Sequence, residues 1–268
     1  MTAADSYIQR LLESNPLREP LLREIIESLG LPAGSHGLDA GCGIGLQAIL
    51  LSRAIGAGGR VTGLDVLPEL LAYGERLVGR AGLSAWINFR LGDVNRLPFE
   101  AESFDWAWSA DCVGYPAGEI IPALNELIRV VKPGGRIFLL GWSSQQLLPG
   151  HPLLEARLNG TCSSYAPFYA DKAPQANFMR ALRSLREVGL EEVQAQTFAG
   201  DVQAPLAEDL RRALTAMFEM LWQAPAPVTE DWQERLRLCE PASPDFVLNL
   251  SEYYGFFTYT LFQGVVRK

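Results

Sequence analysis

Short apolar segments of strand length alternate along the chain with segments that carry apolar residues at helical spacing. No other feature constrains the fold as strongly. The predicted strands are Gly37–Ala40, Arg60–Asp65, Trp86–Gly92, Phe104–Ser109 and Arg136–Trp142, and the predicted helices between them are Leu46–Ile55, Glu69–Ala81 and Ile120–Val131. Strands that alternate with helices at this rhythm indicate a parallel sheet covered on both faces. The sequence therefore predicts an open α/β domain.

A glycine cluster separates the first predicted strand from its helix. Gly41, Gly43 and Gly45 fall at alternate positions, which lets the backbone adopt positive φ and approach a ligand closely. A dinucleotide-binding turn would place its third glycine at position 46, where this chain has Leu46. Asp39, just before the turn, would repel a pyrophosphate but would accept hydrogen bonds from a cationic amino acid. The turn therefore favours a ligand with a cationic group.

Two further carboxylates end the next two predicted strands. Asp65 ends the second strand, 24 residues after Gly41, and Asp93 ends the third. A dinucleotide-binding enzyme would also use an acid at the position of Asp65, so that reading stays open at this point. Because the carboxyl ends of parallel strands meet at one edge of a sheet, the three acids are expected to lie at one site.

Together these segments resemble the S-adenosylmethionine-dependent methyltransferases of class I, in the small-molecule branch that includes ubiquinone- and menaquinone-biosynthesis enzymes. The resemblance rests on Asp39–Gly45, Val61–Val66, Leu91–Val94 with the Leu97-Pro98-Phe99 that follows, and Leu127–Arg136. It covers residues 17–142 in detail and 175–198 and 258–267 loosely. The fold that it implies is an α/β, Rossmann-like seven-stranded sheet with helices on both faces and a helical substrate lid.

The resemblance implies S-adenosyl-L-methionine as cofactor and no metal. It places Asp65 against both ribose hydroxyls and Asp93 against the adenine amino group. The cofactor-binding residues expected on this basis are Asp39, Gly41, Cys42, Gly43, Gly45, Asp65, Val66, Asp93, Val94 and Ser109. The competing interpretation is that these acids cap helices and the glycines only make turns.

Three residues are candidates for catalysis. In this fold the acceptor lies above the carboxyl ends of the fourth and fifth strands, where Asp111 and Tyr115 follow the fourth strand. His151 lies in the segment after the fifth strand and is a candidate general base, because histidine commonly serves in that role. Each has a structural alternative: Asp111 caps a turn, Tyr115 packs under a loop, and His151 is simply solvated.

The rest of the chain divides into segments of different character. The expected organisation is N-terminal helices in 1–32, the cofactor-binding core in 33–142, a substrate loop in 143–174, a core helix and strand in 175–204, a helical lid insertion in 205–257 and the last core strand in 258–268. Within these, helices are predicted at Tyr7–Leu12, Leu17–Leu29, Gln175–Val188, Ala207–Trp222 and Glu230–Cys239, and strands at Glu192–Phe198 and Thr258–Arg267.

The two irregular segments are rich in aromatic residues, which favours an apolar or aromatic small molecule as methyl acceptor. These residues are Tyr165, Phe168, Tyr169, Phe218, Trp222, Trp232, Phe246, Tyr253, Tyr254, Phe256 and Phe257. The alternative is that the rings form the lid's own core or a dimer interface. Whether the acceptor atom is oxygen, carbon or nitrogen is left open, as is the oligomeric state.

Composition excludes several other classes. The chain has 31 acidic and 23 basic side chains, a net charge of −8, so binding to nucleic acid is not expected. The four cysteines form no Cys-x-x-Cys pair, which excludes zinc-ribbon spacing. Thiolate-dependent arsenite methylation is disfavoured, because Cys42 lies inside the glycine turn and the other cysteines do not match the motifs of that subfamily. No apolar run approaches the roughly 20 residues of a membrane span, and no signal sequence is evident, so a cytoplasmic enzyme is expected.

The main hypothesis is thus methyl transfer from S-adenosyl-L-methionine to a small, hydrophobic or aromatic molecule. The alternative is a cofactor-binding protein of the same fold without catalytic turnover, because intact cofactor acids do not by themselves establish turnover.

Overall fold

The protein is built around one seven-stranded sheet. In the computed structural model, which describes residues 2–161, 172–222 and 229–267, the strands are β1 His36–Ala40, β2 Arg60–Asp65, β3 Ile87–Leu91, β4 Phe104–Ala110, β5 Val131–Gln146, β6 Glu191–Gln203 and β7 Tyr254–Val265. Their order in the sheet is β3-β2-β1-β4-β5-β7-β6.

The first five strands run parallel and the seventh runs against them. β1 lies between β2 and β4, and the register pairs Asp39 with Gly63 and Trp108. β2 pairs with β3 and β4 with β5, also in parallel. At the start of β5, Gly134 N donates to Val266 O and Val266 N donates to Gly135 O, both at 2.8 Å. β5 therefore begins where β7 ends, which makes this pair antiparallel.

The described residues form eight α-helices. They are α1 Ala3–Ser28, α2 Leu46–Ile55, α3 Pro68–Arg80, α4 Ile121–Val130, α5 Pro152–Thr161, α6 Ala181–Glu187, α7 Glu208–Leu221 and α8 Glu230–Cys239. α4 shows why these segments fold: Leu124, Leu127 and Val130, spaced three apart, are fully buried in the core against the sheet. None of the described helices is both long enough and apolar enough to span a bilayer.

The chain divides into two compact units. The core unit comprises Leu22–Trp142, Ala173–Phe198 and Tyr259–Lys268, and the helical unit comprises Met1–Leu21, Ser143–Lys172 and Ala199–Thr258. All the predicted cofactor-binding residues lie in the core unit. The predicted fold class, an α/β Rossmann-like sheet of seven strands, is confirmed. The predicted bounds of α2 are those observed.

The N-terminal prediction of two helices is wrong, because one continuous helix, α1, runs through Pro16 and Pro20. Proline removes a backbone hydrogen bond inside a helix and usually ends or kinks it. Here the side chains that follow, such as Leu22 and Ile25, are buried almost completely. The packing of that apolar face offsets the lost hydrogen bonds.

The predicted helix over residues 175–188 is shorter than expected. Two 3₁₀ turns, Pro174–Ala176 and Phe178–Arg180, precede α6. Asn177 between them is extended, and its side chain accepts a hydrogen bond from Met179 N at 2.8 Å. This local side-chain bond competes with helix formation and delays the helix until Ala181.

The segment 143–174 is also more regular than predicted. β5 continues to Gln146, and α5 occupies Pro152–Thr161. A buried carboxylate at Glu155 accepts hydrogen bonds from the backbone N–H groups of Leu147 and Leu148 at 2.9 to 3.0 Å, which fixes the turn between strand and helix. The two later strands likewise extend beyond the predicted bounds, since β6 reaches Gln203 and β7 begins at Tyr254.

Most of the described aromatic rings of the helical unit are buried inside it. Phe218 and Trp222 stack at 5.7 Å between ring centroids, and Trp222 Nε1 donates to Asn159 Oδ1 at 2.7 Å. The buried rings are Phe218, Trp222, Trp232, Phe246, Tyr253 and Phe257, whereas Tyr254 is half exposed. Tyr165, Phe168 and Tyr169 lie outside the described residues. The described rings therefore chiefly form the unit's own core.

Candidate cofactor site at the carboxyl ends of the strands

The glycine turn is fixed to the neighbouring strand by its backbone. Gly41 N and Cys42 N both donate to Leu64 O, at 2.8 and 2.9 Å. Gly41 has φ of 82°, and a Cβ there would lie 2.2 Å from the sulfur of Cys112. Both the conformation and the space therefore require glycine at position 41.

Asp65 holds the same turn from the end of β2. Its Oδ2 accepts a hydrogen bond from Gly43 N at 2.9 Å, and its Oδ1 accepts one from Leu67 N at 3.0 Å. Two carboxylate oxygens offer about four acceptor positions, so capacity remains for ligand hydroxyls. Val66, the next residue, exposes 56% of its side chain beside this carboxylate. The arrangement offers a polar and an apolar surface side by side.

Asp39 is the most unusual group of the site. Its side chain is buried, and Oδ2 has no hydrogen-bond partner. Burial, together with the nearby charge of Asp65, raises the pKa of Asp39 to about 7. Buried polar atoms in proteins are nearly always paired, so an orphaned carboxylate oxygen needs an explanation. A cationic N–H group of a ligand is a partner of the right chemistry.

The cysteines of the site behave as small apolar groups. Burial raises the pKa of Cys42 far above its usual range and that of Cys112 to about 12. Both are therefore neutral thiols near neutral pH, and neutral thiols are poor nucleophiles and poor metal ligands. Ser109 Oγ accepts a hydrogen bond from Val113 N at 3.2 Å and so shapes the loop after β4.

Asp93 lies exposed after the end of β3. Its Oδ1 accepts hydrogen bonds from Asn95 N and Asn95 Nδ2 at 2.8 and 2.9 Å, which makes a tight turn. Val94 is partly buried and packs against the hydrophobic core of the unit. Asp93 therefore presents a carboxylate to solvent from a folded loop.

Asp111 and Tyr115 both lie in the core unit, as the glycine turn does. Asp111 Oδ1 accepts from Trp142 N at 2.8 Å, and Oδ2 accepts from Tyr259 OH at 3.2 Å. Asp111 also has a positive φ of 50°, which is uncommon for a residue with a side chain. Tyr115 packs edge-on against Phe178 at 5.5 Å. The Asp111 carboxylate thus joins the ends of β4 and β5 to β7.

His151 belongs to the helical unit and so is not grouped with those two. Its backbone carbonyl accepts from Glu155 N at 3.1 Å at the start of α5. Its side chain lines a groove of about 640 Å³ together with Arg157, Asp231 and Glu234, among others. Among the described residues, no cluster of three or more side chains that could bind a metal ion occurs.

Sequence reasoning missed the partners of Asp111. Tyr259 is fully buried and lies 148 residues away along the chain. Nothing local marks this contact, because Tyr259 reads as one more aromatic residue in a strand. Only the antiparallel pairing of β7 with β5 brings it to the end of β4.

Part of the chain is similar in sequence to known proteins. Residues 38–135 match the family described as a methyltransferase domain. Demethylmenaquinone methyltransferase from Staphylococcus aureus is 35% identical over 132 residues, which cover 47% of this chain and 51% of the relative. The chain therefore spans about half the length of the curated relatives it matches.

Solved structures resemble a larger part of the chain. The YcgJ protein from Bacillus subtilis aligns with a TM-score of 0.56 at 17% identity and covers 92% of this chain and 98% of its own. A SAM-dependent methyltransferase from Aquifex aeolicus gives 0.53 at 22% identity, covering 71% and 89%. At these identities the likeness concerns the fold. Residues 38–135 therefore resemble a methyltransferase domain in sequence, and the chain shares its fold with these solved structures, as the resemblance predicted.

Proposed function

We propose that the protein transfers a methyl group from S-adenosyl-L-methionine to a small, hydrophobic or aromatic molecule. The observation that carries the proposal is the orphaned oxygen of Asp39, which lies just before the glycine turn. Asp65 and Asp93 end the two adjacent strands in order. A cofactor with a cationic amino group, a ribose and an adenine has one complementary group for each of these three acids.

The residues present fit that cofactor. Asp39 would accept from its amino group, and Asp65 from its ribose hydroxyls, while the exposed Val66 offers apolar contact. Asp93 would accept from the adenine amino group. The remaining positions of the proposed cofactor site shape the turn and the loops around it: Gly41, Cys42, Gly43, Gly45, Val94 and Ser109.

When bound, S-adenosyl-L-methionine supplies a methyl group on a positively charged sulfur, open to in-line displacement by a nucleophile. The protein's task is to hold the acceptor about 3 Å from that carbon and to exclude water. Asp111 suits a positioning role, because both of its oxygens already accept hydrogen bonds. Tyr115, packed on Phe178, offers an aromatic surface nearby.

Proton removal is assigned to His151 where the acceptor is not already ionised. Histidine is the side chain that most often serves as a general base. We assign recognition of the acceptor to the segments 143–174 and 205–257. The acceptor class follows from their aromatic composition and is supported by a relative whose name specifies demethylmenaquinone. The acidic net charge disfavours a nucleic-acid partner, and we place the enzyme in the cytoplasm.

Transfer of a radiolabelled methyl group tests the proposal. The full chain is incubated with labelled S-adenosyl-L-methionine and, separately, with hydroxylated aromatic, isoprenoid quinol and polar metabolite acceptors. Labelled product with the apolar acceptors, strongly reduced in Asp65→Ala at limiting cofactor, is the expected result. The matched control is Asp105→Asn, a change at the opposite end of the strands. Cofactor binding without transfer to any acceptor would favour the non-catalytic alternative.

A further inference from the structure

The loop that follows β3 is held by two side chains of α4 for which the cofactor site has no evident use. Arg129 Nη1 donates to Phe99 O at 2.7 Å, and Nη2 donates to Leu97 O at 3.0 Å. From the same helix, Glu126 Oε2 accepts a hydrogen bond from Leu97 N at 2.8 Å. The loop backbone is thus held on both its donor and its acceptor groups.

The two side chains also bind each other. Arg129 Nε and Nη2 donate to the two oxygens of Glu126 at 2.8 and 2.7 Å, in the parallel two-bond geometry that fixes both groups. These hydrogen bonds lower the pKa of Glu126, so the carboxylate stays ionised. The backbone carbonyl of Arg129 accepts from Glu102 N at 2.9 Å, which secures the next part of the loop as well.

Leu97 and Phe99, whose backbone groups Arg129 and Glu126 bind, lie close to Asp93 in the chain. Arg96 N donates to Asp93 O at 2.9 Å, so the turn at Asp93 leads directly into Leu97. Gly92 is packed so closely that a Cβ would lie 3.0 Å from Pro98. The position of the Asp93 carboxylate therefore depends on where Glu126 and Arg129 hold the loop backbone.

An ordinary surface ion pair looks different. Arg136 Nη2 donates to Glu192 Oε2 at 2.7 Å in the same unit, joining β5 to β6. Exposed pairs of this kind contribute little to stability. The guanidinium of Arg129 instead donates hydrogen bonds to two loop carbonyls as well as to Glu126. Hydrogen bonds of this kind fix the conformation of the loop.

We propose that Glu126 and Arg129 are positioning residues for the adenine end of the cofactor, acting through the loop that carries Asp93. This inference rests on the proposed function. It assigns the pair a role in adenine selectivity: with the loop fixed, the Asp93 carboxylate meets the exocyclic amino group, and with the loop loose it does not.

The test compares binding of S-adenosyl-L-homocysteine with its inosine analogue, which has an oxygen in place of the adenine amino group. Arg129→Ala is expected to weaken binding of the adenine compound about tenfold, the worth of one well-placed hydrogen bond, and to leave binding of the inosine analogue nearly unchanged. Arg129→Lys should recover part of the selectivity. Arg136→Ala is the matched control and should change neither affinity.

Outcomes separate this inference from the proposed function. If the wild-type protein binds neither compound, the proposed function itself fails. If the wild type selects adenine and Arg129→Ala selects it equally well, or loses affinity for both compounds in equal proportion, the positioning role is wrong. A combined Asp93→Ala, Arg129→Ala variant is expected to lose no more selectivity than Asp93→Ala alone, since both changes remove the same contact.

Discussion

The two ends of the parallel strands in the core unit differ in whether their carboxylates have hydrogen-bond partners within the protein. At the amino end, Asp105 Oδ2 accepts from His36 N and Oδ1 from Lys132 Nζ, both at 2.7 Å. There His36 Nε2 also lies 3.0 Å from Thr62 Oγ1. At the carboxyl end, Asp39 keeps a buried oxygen without a partner. One end is satisfied internally, and the other is incomplete until a ligand arrives.

This difference separates the polar groups that stabilise the fold from those that stabilise a bound ligand. Paired groups contribute to stability in the absence of ligand, whereas an orphaned buried acid lowers stability and waits for a cation. The contrast predicts that replacing the orphaned acid at the carboxyl end raises stability and weakens binding, whereas replacing the paired acid at the amino end lowers stability and leaves binding unchanged.

The largest effect is expected for Asp39→Asn. The pKa of Asp39 is about 7 in the folded protein against 3.8 for an unperturbed aspartate, so the folded state binds the proton more tightly. Stability of the ligand-free protein therefore falls as pH rises from about 4 to about 7, by on the order of 4 kcal/mol in total. Asparagine removes this cost. Urea unfolding should find the variant more stable than wild type at pH 8, with the gap closing towards pH 4.

A gap that does not change with pH would contradict this assignment of the Asp39 environment. Because asparagine lacks the charge, the same variant should bind S-adenosyl-L-methionine much more weakly than wild type. If Asp39→Asn is more stable than wild type and still binds S-adenosyl-L-methionine normally, Asp39 does not bind the cofactor.

Asp65→Ala comes next in size. It removes the proposed acceptor of the ribose hydroxyls and also the partner of Gly43 N, so cofactor binding should weaken by about 1.5 to 3 kcal/mol. Titration calorimetry measures the change directly. Asp65→Asn, which keeps an acceptor for one backbone N–H, should lose less, and near-normal affinity of the alanine variant would count against the site.

Asp105→Asn probes the satisfied end. Burial alone raises the pKa of Asp105, but hydrogen bonds from His36 N and Lys132 outweigh it, so the net pKa is lowered. The stabilisation is present above the unfolded pKa and disappears as the pH falls through the folded value, below about 4. The variant should lose about 1 to 2 kcal/mol of stability at pH 7 with unchanged cofactor affinity. If Asp105→Asn loses cofactor affinity and keeps the stability of the wild type, Asp105 serves binding and not the stability of the fold.

The smallest effect is expected for Tyr259→Phe. It deletes the long hydrogen bond to Asp111 Oδ2 and leaves the ring in place, so stability should fall by about 0.5 to 1 kcal/mol. Thermal unfolding measures this loss, and calorimetry should find cofactor binding unchanged. A large loss of cofactor affinity would mean that Asp111 belongs to the cofactor site itself.

The sequence predicts local features well and distant contacts poorly. The order of strands and helices through Trp142 follows from hydrophobic period, and the glycine turn and its three acids follow from short motifs. Asp111 and Tyr259 meet only after β7 pairs with β5, and α5 depends on the buried Glu155 carboxylate binding a turn outside the helix. The unpaired oxygen of Asp39 was equally invisible, since a sequence names the acid but not what surrounds it.

Titration calorimetry of the wild-type protein with S-adenosyl-L-methionine, at about pH 5.5 and about pH 7 and in parallel with NAD, tests directly whether Asp39 belongs to a site for this cofactor. Over that range the ligand's amino group stays protonated while Asp39 ionises, so affinity for S-adenosyl-L-methionine should rise about tenfold. Binding of NAD is not expected at either pH. If the folded protein does not bind S-adenosyl-L-methionine, or binds NAD equally well, the proposed cofactor site is wrong.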